Sequence, residues 1–263
     1  MAAIRFLCAG TLLYGWCAMR GLPRPSGAQW RSAAVVGALL LVFGNGLLTW
    51  AELYVPSGVA ALIVATIPLW MILLDALAER RLPSGRVLAG VALGMAGLVV
   101  LIGPGELGGE PVHLVGSLVI CFAAFSWAVG SIYSRRAEQS PSTLQNVGMQ
   151  MLVGGSLLLV GGLALGERVD VGEISARSWI ALGYLILLGG VWSYSAYVWL
   201  LKVSTPAKVS TYAYVNPVVA VLLGWAVVGE ALSPRVLLAT VVVVAAVVLI
   251  SSATRKPGTD GDS

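Results

Sequence analysis

Runs of about 20 apolar residues recur along the whole chain, and this recurrence constrains the fold more than any single motif. Each run is long enough to cross the hydrocarbon core of a bilayer as a helix, which satisfies its own backbone polar groups. The chain is therefore expected to be an all-α polytopic membrane protein. The nine predicted spans are residues 3–19, 33–51, 57–78, 86–103, 113–133, 143–165, 178–199, 207–229 and 235–252.

Composition excludes the main soluble classes. Of the 263 residues, 58% are hydrophobic and 11% are charged, whereas a soluble domain has about 25% charged residues. The net charge of +4 does not indicate a nucleic-acid partner, because the basic residues lie in short loops between apolar runs. The sequence contains no metalloprotease, nucleophile-elbow or phosphate-loop motif. We therefore expect no enzyme activity, no catalytic residue, no metal site and no cofactor.

The distribution of Lys and Arg predicts the orientation in the membrane. Twelve of them lie in alternate loops and in the tail, whereas the other side has only Arg168, Arg177 and Arg235. Basic loops are cytoplasmic, so the C-terminus, including a polar tail at residues 253–263, is expected in the cytoplasm. Nine crossings then place Met1 outside. From this we expect that one helix is absent from the front of the chain.

The sequence resembles itself at an offset of about 150 residues. The matching pairs are Pro56 with Pro206, Pro68 with Pro217 and Glu79 with Glu230, separated by 150, 149 and 151 residues. The repeating unit has five helices, so its two copies must enter the membrane in opposite senses. We predict one repeat at residues 1–104, lacking its first helix, and a second at 113–252. Inverted repeats are typical of secondary transporters.

Polar side chains recur at helical spacing inside several spans, which predicts a cavity for a small solute. Single residues have alternative roles, since Ser and Thr often bond to their own backbone and aromatic residues often lie at interfaces. Pro68 and Pro217 are predicted to break their helices near the membrane midplane. The predicted cavity-lining residues are Asn45, Thr49, Glu52, Ser126, Trp127, Gln150, Trp192, Tyr197, Tyr212 and Asn216.

Two further patterns indicate structural roles. Gly90 and Gly94 in the fourth span, and Gly154 and Gly161 in the sixth, are small residues at spacings that allow close helix packing. The acidic residues near the end of the third span, with Glu79 beside two arginines, indicate a solvated ion-pair cluster.

Four segments carry a resemblance to a known family. They are GNGLLTWAE (44–52), PSGVAALIVATIPLW (56–70), FSWAVGSIYSRR (125–136) and TYAYVNPVVAVLLGWAVVGEAL (211–232). The chain resembles the EamA family of the drug/metabolite transporter superfamily. This resemblance implies ten helices in two inverted five-helix repeats, nine of which are visible here. It also implies a central cavity and export of small metabolites, amino acids or drugs across the inner membrane.

The expected partners are a small-molecule substrate and the lipid bilayer, and no nucleic-acid partner is expected. The sequence leaves open whether the chain forms a homodimer. The favoured interpretation is a secondary transporter working by alternating access. Two alternatives remain at this point: a membrane-embedded lipid-flipping or transferase partner, and a non-transporting membrane subunit.

Overall fold

The computed structural model describes residues 2–102, 113–167, 175–223 and 234–253, and within these ranges it is helical, without strands. Nine helices are present in the described part of the chain, two of them interrupted. They are α1 (Ala2–Met19), α2 (Gly27–Ala51), α3 (Ser57–Val64 and Ile67–Glu79), α4 (Gly85–Ile102), α5 (Leu114–Arg136), α6 (Thr143–Ala164), α7 (Ala176–Val203), α8 (Pro206–Ser210 and Tyr212–Leu223) and α9 (Pro234–Ala253).

Six of these helices are long and apolar enough to cross a membrane: α1, α2, α3, α5, α6 and α7. Helices α4 and α9 contain shorter apolar stretches, Gly85–Leu101 and Leu237–Ala253. The prediction of an all-α polytopic membrane protein is confirmed. The end of the eighth predicted span, beyond residue 223, lies outside the described residues.

The start of α2 is the largest difference from the predicted boundaries. The helix begins at Gly27, six residues before the predicted span, because Ser26 and Gln29 form a capping box. The backbone N–H of Gln29 donates to Ser26 Oγ, and the Ser26 N–H donates to Gln29 Oε1, both at 3.2 Å. These bonds satisfy two donors at the helix start, which hydropathy alone does not register.

The packing divides the chain into two compact units. The first unit comprises Met1–Leu47 and Gly130–Val203, and the second comprises Leu48–Val129 and Ser204–Ser263. The first unit thus holds α1, most of α2, the end of α5, α6 and α7. The second holds the end of α2, α3, α4, most of α5, α8 and α9.

In the first unit, α1 and α6 pack closely and run antiparallel. Gly10 lies against Met151, and earlier in α1 Leu7 lies against Gly155, so the two helices advance in opposite directions. A Cβ atom built on any of these glycines would approach the facing helix within 3.0 Å, so only glycine allows this separation. Helices α1 and α6 occupy equivalent places in the two predicted repeats. Their antiparallel arrangement is the one expected if the two repeats enter the membrane in opposite senses.

In the second unit, α4 and α9 form the corresponding antiparallel pair. Gly90 lies against Ile250 and Gly97 against Val243, while the ring of Tyr214 covers Gly94. The small residues of α4 therefore act in packing, as their spacing predicts. In the first unit Gly154 packs against Leu41 and the Gly37 carbonyl of α2, whereas among the described residues no atom lies within 4 Å of the Cβ position of Gly161.

Two helices of the first unit contain a wide π-helical turn. One covers Ala38–Gly46 in α2 and the other Leu185–Tyr194 in α7. They begin 147 residues apart and end 148 apart, close to the offset of the sequence repeat. Such turns are rare in proteins, and those that occur often lie at functional sites.

Helices α3 and α8 are each interrupted at a threonine. The hydroxyl of Thr66 donates to the Ile63 carbonyl at 2.6 Å, and that of Thr211 donates to the Lys208 carbonyl at 2.7 Å. Each bond competes with the regular helical pattern. Pro68 follows the first interruption directly and lies in the first turn of Ile67–Glu79. In α8 the interruption precedes Pro217 by six residues, and Pro217 itself lies inside Tyr212–Leu223.

Candidate functional site

Four buried polar side chains of the first unit form two hydrogen-bonded pairs between apolar helices. The hydroxyl of Tyr194 donates to Gln150 Oε1 at 2.9 Å, and the hydroxyls of Ser131 and Tyr197 share a hydrogen bond of 2.6 Å. We call Ser131, Gln150, Tyr194 and Tyr197 the tyrosine cluster. Tyr194 and Tyr197 lie one helical turn apart on α7, so the two pairs are neighbours.

Glycine and the π-helical turn of α7 position this cluster. A Cβ atom on Gly37 would lie 2.5 Å from the backbone carbonyl oxygen of Gln150, so α2 and α6 touch through backbone at this level. Tyr194 is the last residue of the π-helical turn, and the α-helical segment that carries Tyr197 begins at Ser195. Ser195 Oγ is buried without a hydrogen-bond partner among the described residues, which leaves a hydroxyl beside Tyr194.

The electrostatics of the cluster are those of a neutral polar patch. All four side chains are buried, Gln150 to 1% exposure, and a polar group without a partner would be costly at such a place. The four membrane helices of the first unit contain no Asp or Glu in their sequences. Hydroxyl and amide groups can both donate and accept hydrogen bonds, so each side chain of the cluster can exchange its present partner for a polar solute.

A second polar contact in the first unit joins α1 to α2. A guanidinium N–H of Arg5 donates to Asn45 Oδ1 at 2.7 Å, and the Arg5 Cζ lies 4.3 Å from the centroid of the Phe6 ring. Asn45 belongs to the π-helical turn of α2. This cation inside an apolar helix is the largest electrostatic feature of the unit.

Asn146 has a structural role instead. It shares the polar stripe of Gln150 in sequence, yet its amide bonds to the loop before α6: Ser140 N–H donates to its Oδ1 and its Nδ2 donates to the Ser140 carbonyl, both at 2.8 Å. A side chain that closes a loop in this way is held in one orientation.

The predicted cavity residues are distributed over both units. In the first unit, Gln150 and Tyr197 belong to the tyrosine cluster and Asn45 contacts Arg5. Trp192 is 74% exposed, whereas Tyr194, two residues later, is buried. In the second unit, Ser126 is buried, Trp127 and Tyr212 are half-buried, and the exposed residues are Thr49, Glu52 and Asn216.

Sequence reasoning missed Arg5, Ser131, Tyr194 and Ser195. Tyr194 lies at i−3 from Tyr197, so helical spacing contained the signal for that pair. Arg5 is the only charged residue in α1, which is itself a functional signal inside a membrane helix. The count of basic residues in the loops does not include Arg5, because Arg5 lies within a helix.

The acidic residues at the helix ends behave differently from one another. Glu79 forms an ion pair with Arg81 at the exposed end of α3, as predicted. Glu52 follows the last residue of α2; its side chain is exposed overall, yet neighbouring atoms partly desolvate the carboxyl and raise its pKa above the ordinary value. Next to it, the rings of Trp50 and Tyr54 lie 5.1 Å apart, and Tyr54 stacks on His113 at 5.4 Å.

The raised pKa of Glu52 predicts the sign of a pH effect on stability. The folded chain holds the Glu52 proton to a higher pH than the unfolded chain does. The stability gained from this proton is therefore complete below the ordinary pKa of a glutamic acid and is lost as the pH rises through the raised pKa. Glu52→Gln keeps the neutral form. We expect the variant to melt at the wild-type temperature near pH 4 and slightly above it at pH 8, in detergent melting curves. A lower melting temperature at pH 8 would contradict the assignment.

Comparison with known proteins identifies the family. The sequence matches the EamA-like transporter family over residues 1–103 and 114–252. The chain belongs to this family. Membership in the EamA-like transporter family makes it a membrane transporter, and the described helices agree with that fold.

The similarity to individual relatives extends over almost the whole chain. It is 40% identical over 255 residues to "Uncharacterized inner membrane transporter YedA" of Escherichia coli (strain K12), covering 95% of this chain and 80% of the relative. It is 27% identical over 251 residues to "Protein PecM" of Dickeya dadantii, covering 95% and 81%. A solved crystal structure matches with a TM-score of 0.79 at 21% identity, covering 97% of this chain and 88% of that one, which shows a shared fold.

Proposed function

We propose that this chain is a secondary transporter that exports small metabolites, amino acids or drug-like solutes by alternating access. The tyrosine cluster carries the proposal. It places two hydroxyl–hydroxyl or hydroxyl–amide pairs at fully buried positions between helices that are otherwise apolar. Polar groups buried between membrane helices are costly, and in many membrane proteins they mark a solute pathway. A solute that accepts or donates hydrogen bonds replaces these pairs at little cost, because each group keeps a partner.

Two observations support the inverted repeat, an architecture on which many alternating-access transporters are built. The helices in equivalent places, α1 with α6 and α4 with α9, run antiparallel within their units. The π-helical turns of α2 and α7 recur at the repeat offset. Both are expected if residues 1–104 and 113–252 are two copies of one unit in opposite orientations.

The interruptions in α3 and α8 supply the mobile elements of the proposal. A helix broken at Thr66 or Thr211 bends there at a lower cost than a continuous helix. The segments that follow, Ile67–Glu79 and Tyr212–Leu223, carry Pro68 and Pro217. We infer that these segments tilt during the transport cycle. Tyr212 and Asn216 on α8, with Trp127 on α5, would then contact solute.

The relative YedA is named as an inner membrane transporter, and we extend that location to this chain. The loop charges favour a C-terminus in the cytoplasm. The exposed Val and Leu side chains of α9, including Val241 and Val248, would face lipid or a second copy of the chain.

The test is solute flux in proteoliposomes that contain the purified full chain. A panel of labelled amino acids, small metabolites and cationic dyes is loaded inside, and efflux is followed beside protein-free vesicles. Efflux of at least one solute above the protein-free rate is expected. No efflux of any class would contradict the proposal.

Reporter fusions test the orientation separately. Fluorescent-protein fusions after Arg80 and after Lys202 should both be bright, and alkaline phosphatase fusions at both positions should be inactive, because both loops are expected in the cytoplasm. Opposite results at the two loops would reject the inverted repeat while leaving the flux result intact.

A further inference from the structure

Arg5 is a cation whose charge is not neutralised within the described part of the chain. Its side chain is partly buried, and one guanidinium nitrogen donates to Asn45. Its Nε is buried and has no hydrogen-bond partner, and no described carboxylate lies within ion-pair distance of it. An arginine inside a membrane helix normally pairs with an acid or faces a polar pathway.

The guanidinium therefore retains binding capacity. It has five N–H donors in a fixed planar fork, and the one hydrogen bond to a neutral amide oxygen uses a single donor. The contact with the Phe6 ring offsets part of the charge without using a donor. A carboxylate matches the two-pronged geometry that remains, and charge-assisted bonds of this kind are about twice as strong as neutral ones.

The position of Arg5 connects it to the π-helical turns. Ala9, one turn along the same face of α1, lies 2.9 Å from the Cβ position of Gly190 in the π-helical turn of α7. Asn45, the hydrogen-bond partner of Arg5, belongs to the π-helical turn of α2. One face of α1 thus contacts both irregular segments of the first unit.

The distance from Arg5 to the tyrosine cluster suits a small solute. Gly10 faces Met151 and Leu7 faces Gly155, so Arg5 lies about two helical turns, roughly 10 Å, from the level of Gln150. A molecule of amino-acid size spans this separation. The cation would hold one end while the hydroxyl and amide groups of the cluster contact the other.

The charge of the unit also selects the class of solute. The sequences of α1, α2, α6 and α7 contain no Asp or Glu, so these helices offer no counter-charge to a cation. Of the four cations in these helices, only Arg5 is partly buried, whereas Arg31, Arg177 and Lys202 are exposed. An anionic group is stabilised in such surroundings and a cationic group is repelled.

We propose that Arg5 binds the carboxylate of the transported solute, so that the substrate is an amino acid or an organic acid. This inference rests on the proposed transport function and narrows its substrate class. A lipid phosphate offers the same chemistry, and the experiment separates the two sources.

The experiment measures the melting temperature of the purified full chain in phosphatidylcholine nanodiscs. The probes are the individual L-amino acids, acetate, phenylacetate and succinate, each beside its neutral amide. At least one carboxylate should raise the melting temperature by several degrees while its amide does not. Arg5→Gln should weaken that binding about tenfold or more, and Arg5→Lys should retain part of it. The exposed Arg31→Gln serves as the matched control and should bind as wild type does.

Asn45→Asp gives a second, independent readout. The new carboxylate would pair with Arg5 and occupy the site, so the variant should keep its fold and lose the response to the carboxylate probe. Equal responses to carboxylate and amide, or an undiminished response in Arg5→Gln, would overturn the proposal. So would a stabilisation that requires added phosphatidylglycerol and no carboxylate, since that outcome identifies a lipid contact.

The same proteins distinguish this inference from the function on which it rests. Efflux of a carboxylate solute at the wild-type rate by Arg5→Gln would keep the transporter and reject the carboxylate site. Carboxylate binding that depends on Arg5, without flux of any solute, would keep the site and reject the transporter.

Discussion

Gly37→Leu is expected to lower the stability of the first unit strongly. A Cβ atom at this position would lie 2.5 Å from the backbone carbonyl oxygen of Gln150 and 3.3 Å from the Gly154 nitrogen. Because both neighbours are backbone atoms, no side-chain rotation can relieve the clash, and α2 must separate from α6. Overpacking of this kind costs about 1–3 kcal/mol and occasionally more, and the upper end is expected here.

The measurement is the melting temperature and the yield of monodisperse protein in detergent. Gly161→Leu on α6 is the matched control, because it makes the same change at a helical glycine whose Cβ position has no atom of the described part of the chain within 4 Å. The control should melt close to the wild type, whereas Gly37→Leu should melt several degrees lower or fail to accumulate. Equal behaviour of the two variants would mean that α2 and α6 do not touch through backbone at Gln150.

The helices themselves were predictable because a bilayer imposes one length and one composition on every span. Hydropathy therefore located all nine helices, and it missed the start of α2, where a capping box rather than an apolar run decides the first residue. The π-helical turns were not predictable, since no residue type marks them. Neither was the interruption of α8 at Thr211, because proline at 217 is the stronger sequence signal and the hydroxyl bond to Lys208 depends on local geometry.

The candidate site was predictable to a smaller extent. Helical spacing selects residues on one face of a helix, but it does not reveal what that face contacts. Trp192 and Tyr197 illustrate the limit: both lie on α7, yet Trp192 is exposed and Tyr197 is bonded to Ser131. Asn146 and Gln150 differ for the same reason, because the loop before α6 captures only the first.

Tyr194→Phe is expected to reduce transport about tenfold or more and also to lower stability. The change removes the O–H that donates to Gln150 Oε1, and it leaves that buried oxygen without a partner, at a cost of about 1–3 kcal/mol. The corresponding change at the exposed Trp192, Trp192→Phe, should alter neither quantity. Efflux from proteoliposomes and melting curves in detergent measure the two effects on the same preparations.

A double variant separates binding of solute from support of the fold. In Tyr194→Phe with Gln150→Met, both polar partners become apolar groups of similar size, so no buried oxygen is left unpaired and the melting temperature should return towards that of the wild type. Transport should stay low, because the hydrogen bonds offered to the solute are still absent. If transport recovers together with stability, the pair only holds α6 against α7, and the pathway for the solute must use other groups.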